Sequence, residues 1–297
     1  MRETIQTSES HFKNIKDYPF KSHYLQIEDD LRMHYVDEGN SANPTVLLLH
    51  GEPSWSYLYR HMIPILSKQF RVIAPDLIGF GKSDKLVSKE DYSYQNHMNW
   101  MTTFIEKLDL KDMLLFCQDW GGLIGLRMIT QMPDRFSMVV ASNTALPTGR
   151  PTVPKSFLEW RELSLTSKSF DIGRIIDTAT VEKLSKEAYD AYNAPFPSEE
   201  YKAGARIFPS LVPIKEDDPE SLKNLKAWSV LKTWTKPFLT LFGSEDNIMF
   251  GVEKIFQKLI PGAQGQNHQV FHAGHFIQEE KGPELAKAMI AFYEKNK

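Results

Sequence analysis

Apolar residues fall into two kinds of run along this chain. Apolar runs of four or five at 46–49, 72–75, 113–117, 138–141 and 238–242, the last with Thr240 at its centre, read as strands buried on both faces. Between them, apolar positions three and four apart predict helices. One spans 57–67. Another spans 93–108, with Met98, Met101, Phe104, Ile105 and Leu108 on one face, and a third begins after residue 119. At the front, 24–27 and 31–36 alternate apolar and polar residues around Asp29-Asp30, which predicts an edge hairpin. A last strand falls at 269–271, and a closing helix at 283–295 carries Pro283 in its first turn. The pattern predicts an α/β fold: a mostly parallel eight-stranded sheet flanked by helices.

From residue 147 to 229 the pattern changes. Pro147, Pro151, Pro154, Pro195, Pro197, Pro209, Pro213 and Pro219 crowd in, and no buried strand is evident. Short helices at 155–164, 181–192 and 199–206 are expected instead. The reading is a core domain of 1–146 and 230–297 with an inserted helical cap, 147–229, over the strand ends.

Composition narrows the function classes. The 297 residues are 41% hydrophobic and 12% aromatic, enough for a sizeable core. A net charge of −3 offers no electrostatic case for nucleic acid or an anionic membrane. The single cysteine, Cys117, excludes an internal disulfide framework and suits a reducing compartment. The first eighteen residues are polar, without the apolar core of a secretory signal, and no stretch approaches the roughly 20 apolar residues of a membrane span. A cytoplasmic, monomeric protein is the expectation.

Candidate chemistry gathers where strands end. The run at 113–117 stops at Gln118-Asp119-Trp120-Gly121-Gly122 and turns into a helix. A strand that ends at one reactive residue flanked by small ones is the nucleophile-elbow pattern, here with Asp119 in place of serine and Cys117 in place of the first glycine. A carboxylate follows the strand at 238–242, in Gly243-Ser244-Glu245-Asp246. A histidine follows the last strand, in His272-Ala273-Gly274-His275. Nucleophile, acid, histidine is the chain order of the α/β-hydrolase fold. Asp246 is favoured over Glu245 because the acid commonly sits third after the glycine, and His275 over His272 because small residues precede it and let its loop approach the elbow. His50 is read as a brace of its loop.

An aspartate nucleophile attacks saturated carbon and forms an alkyl ester on its own carboxylate. Water activated by His275 then hydrolyses that ester, with Asp246 orienting the imidazole. The backbone N–H groups of Glu52 and Trp120 are the candidate donors to the oxyanion. The leaving group could be an epoxide oxygen or a halide. An indole N–H, a donor without an acceptor, suits a large soft anion, which singles out Trp120 and, in the cap, Trp160. Trp100, Trp228 and Trp234 read as packing.

These motifs carry a resemblance. His50-Gly51-Glu52-Pro53-Ser54-Trp55, Gly79-Phe80-Gly81-Lys82-Ser83-Asp84, Gln118-Asp119-Trp120-Gly121-Gly122 and His272-Ala273-Gly274-His275-Phe276 resemble the haloalkane dehalogenases, and the likeness is weakest in the cap. Glu52 and the late acid are similar to the first subfamily. The resemblance implies Asp119 as nucleophile, His275 as base, Asp246 as acid, and halide donors on Trp120 and Trp160. It also implies a pocket lined by Phe157, Phe208, Pro209 and Val212. The implied partners are a small haloalkane, water and the released halide, with no metal and no organic cofactor. An epoxide hydrolase on the same fold is the rival. It would use paired cap tyrosines, for which Tyr189, Tyr192 and Tyr201 are available.

Overall fold

The computed structural model describes residues 2–150 and 153–297, so Pro151 of the expected cap lies outside the described residues. A two-residue ribbon joins β1 (Thr4–Ile5) to β6 (Lys85–Leu86). The edge hairpin forms as β2 (His23–Glu28) and β3 (Leu31–Glu38), paired antiparallel. The buried runs become β4 (Thr45–Leu49), β5 (Arg71–Pro75), β7 (Met113–Gln118), β8 (Phe136–Ser142) and β9 (Phe238–Gly243), followed by β10 (Gln269–Phe271). Eight strands make one sheet in the order β10-β9-β8-β7-β4-β5-β3-β2, parallel from β10 through to β5.

Register explains where function can sit. The chain leaves β4 toward β5 on one side and later adds β7 on the other, so the strand order reverses at β4. A crevice opens at the carboxyl ends beside such a reversal. Leu49 pairs with Cys117 and Gln118 with Ser142, while Gly243 pairs with Phe271. The loops after β4, β7, β8, β9 and β10 therefore leave from one edge of the sheet.

Helices α1 (Ile63–Leu66), α2 (Tyr94–Lys107) and α3 (Trp120–Gln131) lie in the first half of the chain. The helix expected at 57–67 is instead a 3-10 turn, Ser56–Tyr59, and the single turn of α1, whose second residue is Pro64. Proline lacks the N–H that a continuous helix would require there. In the insertion, α4 (Lys155–Thr166) matches its expectation. The helix expected at 181–192 forms only as α6 (Lys186–Asn193), α5 (Ile172–Thr178) lies before it unanticipated, and the helix expected at 199–206 becomes a 3-10 turn and α7 (Ala203–Leu211). Ser185 caps α6 by accepting the Ala188 N–H, which starts the helix there rather than at 181.

Helix α8 (Pro219–Leu231) was not anticipated. It leans on the core, because Glu220 pairs with Arg127 of α3 and Asn224 donates to the Pro147 carbonyl. Its sequence mixes apolar and charged residues around the whole helix, which hid it. Helices α9 (Glu253–Leu259) and α10 (Ile277–Asn296) close the chain. The expected start of the last helix at Pro283 corresponds to a break in α10 at Lys281, whose backbone is not helical.

Candidate active site

Asp119 ends β7 with φ 51° and ψ −125°, a conformation that non-glycine residues rarely hold. Three contacts maintain it. Its N–H donates to the Asn143 carbonyl at 3.0 Å, and its carbonyl accepts from the Thr144 hydroxyl at 2.8 Å and the Gly122 N–H at 2.9 Å. The glycines are steric necessities. A Cβ at Gly121 would lie 2.0 Å from the Leu49 carbonyl oxygen, and one at Gly51 would lie 2.3 Å from the Asp119 side chain.

The Glu52 N–H donates to Asp119 Oδ1 at 2.7 Å, and Oδ2 stands 3.4 Å from His275 Nε2. Trp120, the first residue of α3, has an N–H with no carbonyl a turn before it. On the other side of the imidazole, His275 Nδ1 lies 2.7 Å from Asp246 Oδ2. Asp246 is held by the Ile248 and Met249 N–H groups at 2.9 and 3.0 Å and by the Asn143 amide at 2.8 Å. The alternatives point elsewhere: Glu245 and His272 pair with each other at 3.2 Å on the exposed surface.

Charge follows the geometry. Burial opposes ionisation of Asp246, yet His275 and the hydrogen bonds outweigh it and hold the carboxyl at about 2. Burial lowers His275, but Asp246 and Asp119 together raise it to about 10. Burial, then the charge of Asp119, pushes the Glu52 carboxyl well above the usual range. His50 spans two loops, with Nε2 accepting the Leu77 N–H and Nδ1 on the Gly51 carbonyl, as a brace would.

A cleft of about 1430 Å³ lies over the elbow. Glu52, Asp119, Trp120, Asp246 and His275 line it from the core, and Phe157, Trp160, Pro209 and Val212 line it from the insertion. Phe208 is the exception among the expected pocket residues. It is fully buried, 4.7 Å from the Trp120 ring and 4.4 Å from His97, because α7 turns it away from the cleft and into the core. The indoles sort by their N–H groups. Trp55 donates to Ala191, Trp100 to Glu28 and Trp228 to Leu146, while Trp234 is buried among core residues. Trp228 also lines the cleft, but with its donor engaged.

None of the tyrosines required by the epoxide reading lines the cleft. Tyr192 is buried and donates to Glu279, Tyr189 donates to Asp171, and Tyr201 packs against the core. Among the described residues no group of three or more His, Cys, Asp or Glu side chains could hold a metal ion. Sequence reasoning missed Asn143. Its side chain joins Asp246 to the Gly243 N–H, and its carbonyl takes the Asp119 N–H. The available signal was its place just after β8, where a polar side chain can reach the loops on either side.

Comparison with known proteins gives the same direction. Residues 44–282 match the family described as alpha/beta hydrolase fold. A haloalkane dehalogenase of Psychrobacter cryohalolentis is 52% identical, over 98% of each chain. The chain belongs to the haloalkane dehalogenases. A dehalogenase of Mycolicibacterium paratuberculosis is 48% identical over 97% of each chain. Among solved structures, the haloalkane dehalogenase DpaA of Paraglaciecola agarilytica superposes with a TM-score of 0.90 at 32% identity, over 96% of this chain and 97% of that one. That dehalogenase is described as tetrameric, which leaves the monomer expected here without support. No helix among the described residues is long and apolar enough to cross a membrane.

Proposed function

We propose that this dehalogenase cleaves the carbon–halogen bond of small haloalkanes through an alkyl ester on Asp119, with His275 as base and Asp246 as its acid partner. The observation that carries the reading is the lining of one cleft. Trp120 lines it beside Asp119 from the core and Trp160 from the insertion, while no tyrosine lines it among the described residues.

Because Glu52 N–H holds Oδ1, Oδ2 is the oxygen that attacks. A bond forms from Oδ2 to the substrate carbon, and the halide departs with the electron pair toward the indole N–H groups of Trp120 and Trp160. The ester leaves Asp119 uncharged, so His275 loses one of the two carboxylates that raise its proton affinity. It can then accept a proton from water as the water oxygen attacks Cγ. The oxyanion on Oδ1 is held by the N–H groups of Glu52 and Trp120. Collapse breaks the Cγ–Oδ2 bond, and the alcohol leaves with Oδ2 and the proton from His275. The second proton of water is released to solvent, so haloalkane and water become alcohol, halide and a proton. The cap proposed for 147–229 closes the cleft.

The test is halide release from 1,2-dibromoethane and 1-bromobutane beside hydrolysis of styrene oxide. Bromide release that disappears in Asp119→Ala is expected. Diol from styrene oxide without bromide would favour the epoxide hydrolase and remove the halide roles of both tryptophans.

A further inference from the structure

The carboxylate of Glu280, in the first turn of α10, joins two segments far apart in the chain. Its Oε2 accepts the Gly274 N–H at 2.7 Å, one residue before the base. Its Oε1 accepts the Val181 and Glu182 N–H groups of the insertion at 3.0 and 2.9 Å. Backbone N–H groups bond a carboxylate more strongly than a neutral carbonyl, so the three contacts make a firm clip. The next N–H of the catalytic loop goes to the insertion directly, His275 donating to the Ala179 carbonyl at 2.8 Å. The two segments abut so closely that a Cβ at Gly274 would lie 2.2 Å from the Ala179 oxygen.

The catalytic loop is thus held from two sides. Its carbonyls face the core: Ala273 accepts the Glu245 N–H, Gly274 the Asn143 amide and His275 the Gln118 amide. Its N–H groups at 274 and 275 face Glu280 and the insertion. Ala179, Thr180 and Val181 line the cleft together with Gly274 and His275, so this junction borders the chemistry. The helix of Trp160 is secured by separate bonds. Arg161 donates to the Ser210 carbonyl and Arg206 to the Ser164 carbonyl, both at 3.0 Å, which ties α4 to α7 without Glu280.

We propose that Glu280 is a positioning residue that fastens segment 179–182 of the insertion to the loop of His275, so that the insertion aligns the base for hydrolysis of the alkyl ester. The inference rests on the dehalogenase reading above. Attack of Asp119 on the haloalkane needs no base, whereas attack of water needs Nε2 of His275 within reach of the water proton. A misplacement of about 1 Å in such a group can cost roughly a hundredfold in rate. Loss of the clip therefore separates the two half-reactions, which a general loss of stability does not.

The experiment follows both half-reactions of the full chain with 1-bromobutane in single turnovers. Ester formation is read from bromide release, and ester hydrolysis from decay of the alkylated mass. Glu280→Ala removes the clip, and Glu280→Gln keeps one acceptor oxygen while turning an NH₂ group toward N–H donors. Either one, shown folded by circular dichroism, suffices. The expected result is bromide release at the rate of the unaltered protein, with hydrolysis slowed between about tenfold and a hundredfold. Lys281→Ala breaks only the exposed Lys281–Glu182 pair, 3.1 Å across the same junction, and should leave hydrolysis at its original rate. Both half-reactions slowed equally, hydrolysis unchanged, or hydrolysis slowed as much by Lys281→Ala would overturn the proposal while leaving the dehalogenase reading intact. No bromide release from the unaltered protein would overturn both.

Discussion

His275 and Asp246 form a buried pair whose proton affinities move apart, and pH should reveal it. The His275 affinity is raised to about 10 in the fold against about 6.5 in an unfolded chain, so its stabilising contribution is full below about 6.5 and fades as pH rises toward 10. Asp246 is depressed to about 2 against about 3.9, so its contribution is present above about 4 and fades as pH falls toward 2. The difference in melting temperature between the protein and Asp246→Asn should therefore be largest near pH 4–6.5 and shrink on both sides. A difference independent of pH would contradict the pairing. Asn143 is a second residue with a measurable role, because it links Asp246, Gly243 and Asp119. Asn143→Ala strands buried groups, and a loss of about 1–3 kcal/mol is expected in denaturant unfolding, with slower turnover. The two cleft-lining indoles without a partner among the described residues, Trp120 and Trp160, differ from the engaged ones. Trp160→Phe should raise the dissociation constant for bromide about tenfold, as one hydrogen bond to an ion would, whereas Trp228→Phe should leave it near its original value; fluorescence quenching by bromide distinguishes them.

At the scale of elements, the elbow depends on close backbone approach between β4 and α3. Gly121→Ala would set a methyl group 2.0 Å from the Leu49 carbonyl, so this variant should unfold at clearly lower denaturant than the protein itself. An unchanged midpoint would show that the strands yield. Central strands were legible in the sequence because they are buried on both faces and leave nearly continuous apolar runs, as in β7 and β8. The catalytic candidates were legible for a related reason: each follows a strand whose end is visible in the pattern. Helices in the insertion were less so. Val181 to Leu184 is a loop whose apolar residues mimic a helical face, and α8 mixes charge with apolar residues all round. Phe208 was misassigned to the pocket because its orientation depends on how α7 turns about its axis, which spacing alone does not specify. Asn143 carried no motif, since its role arises only when three loops meet.

At the scale of the whole molecule, the insertion is tied to the core at several points, among them a buried network. Tyr192 of α6 donates to Glu279 of α10, which also pairs with Arg60. The Arg60 guanidinium lies 4.0 Å from the centre of the Tyr57 ring. The network holds α6 against the core, Glu220 on Arg127 holds α8 there too, and Trp160 and Phe157 line the cleft with Asp119. The central claim is that Asp119 carries the alkyl group, and it can be read directly. With His275→Gln the ester should form and persist, so intact-mass spectrometry after exposure to 1-bromobutane should show one added butyl group, mapped by peptide analysis to Asp119. No adduct, while the unaltered protein still releases bromide, would contradict the covalent route and every role assigned around it.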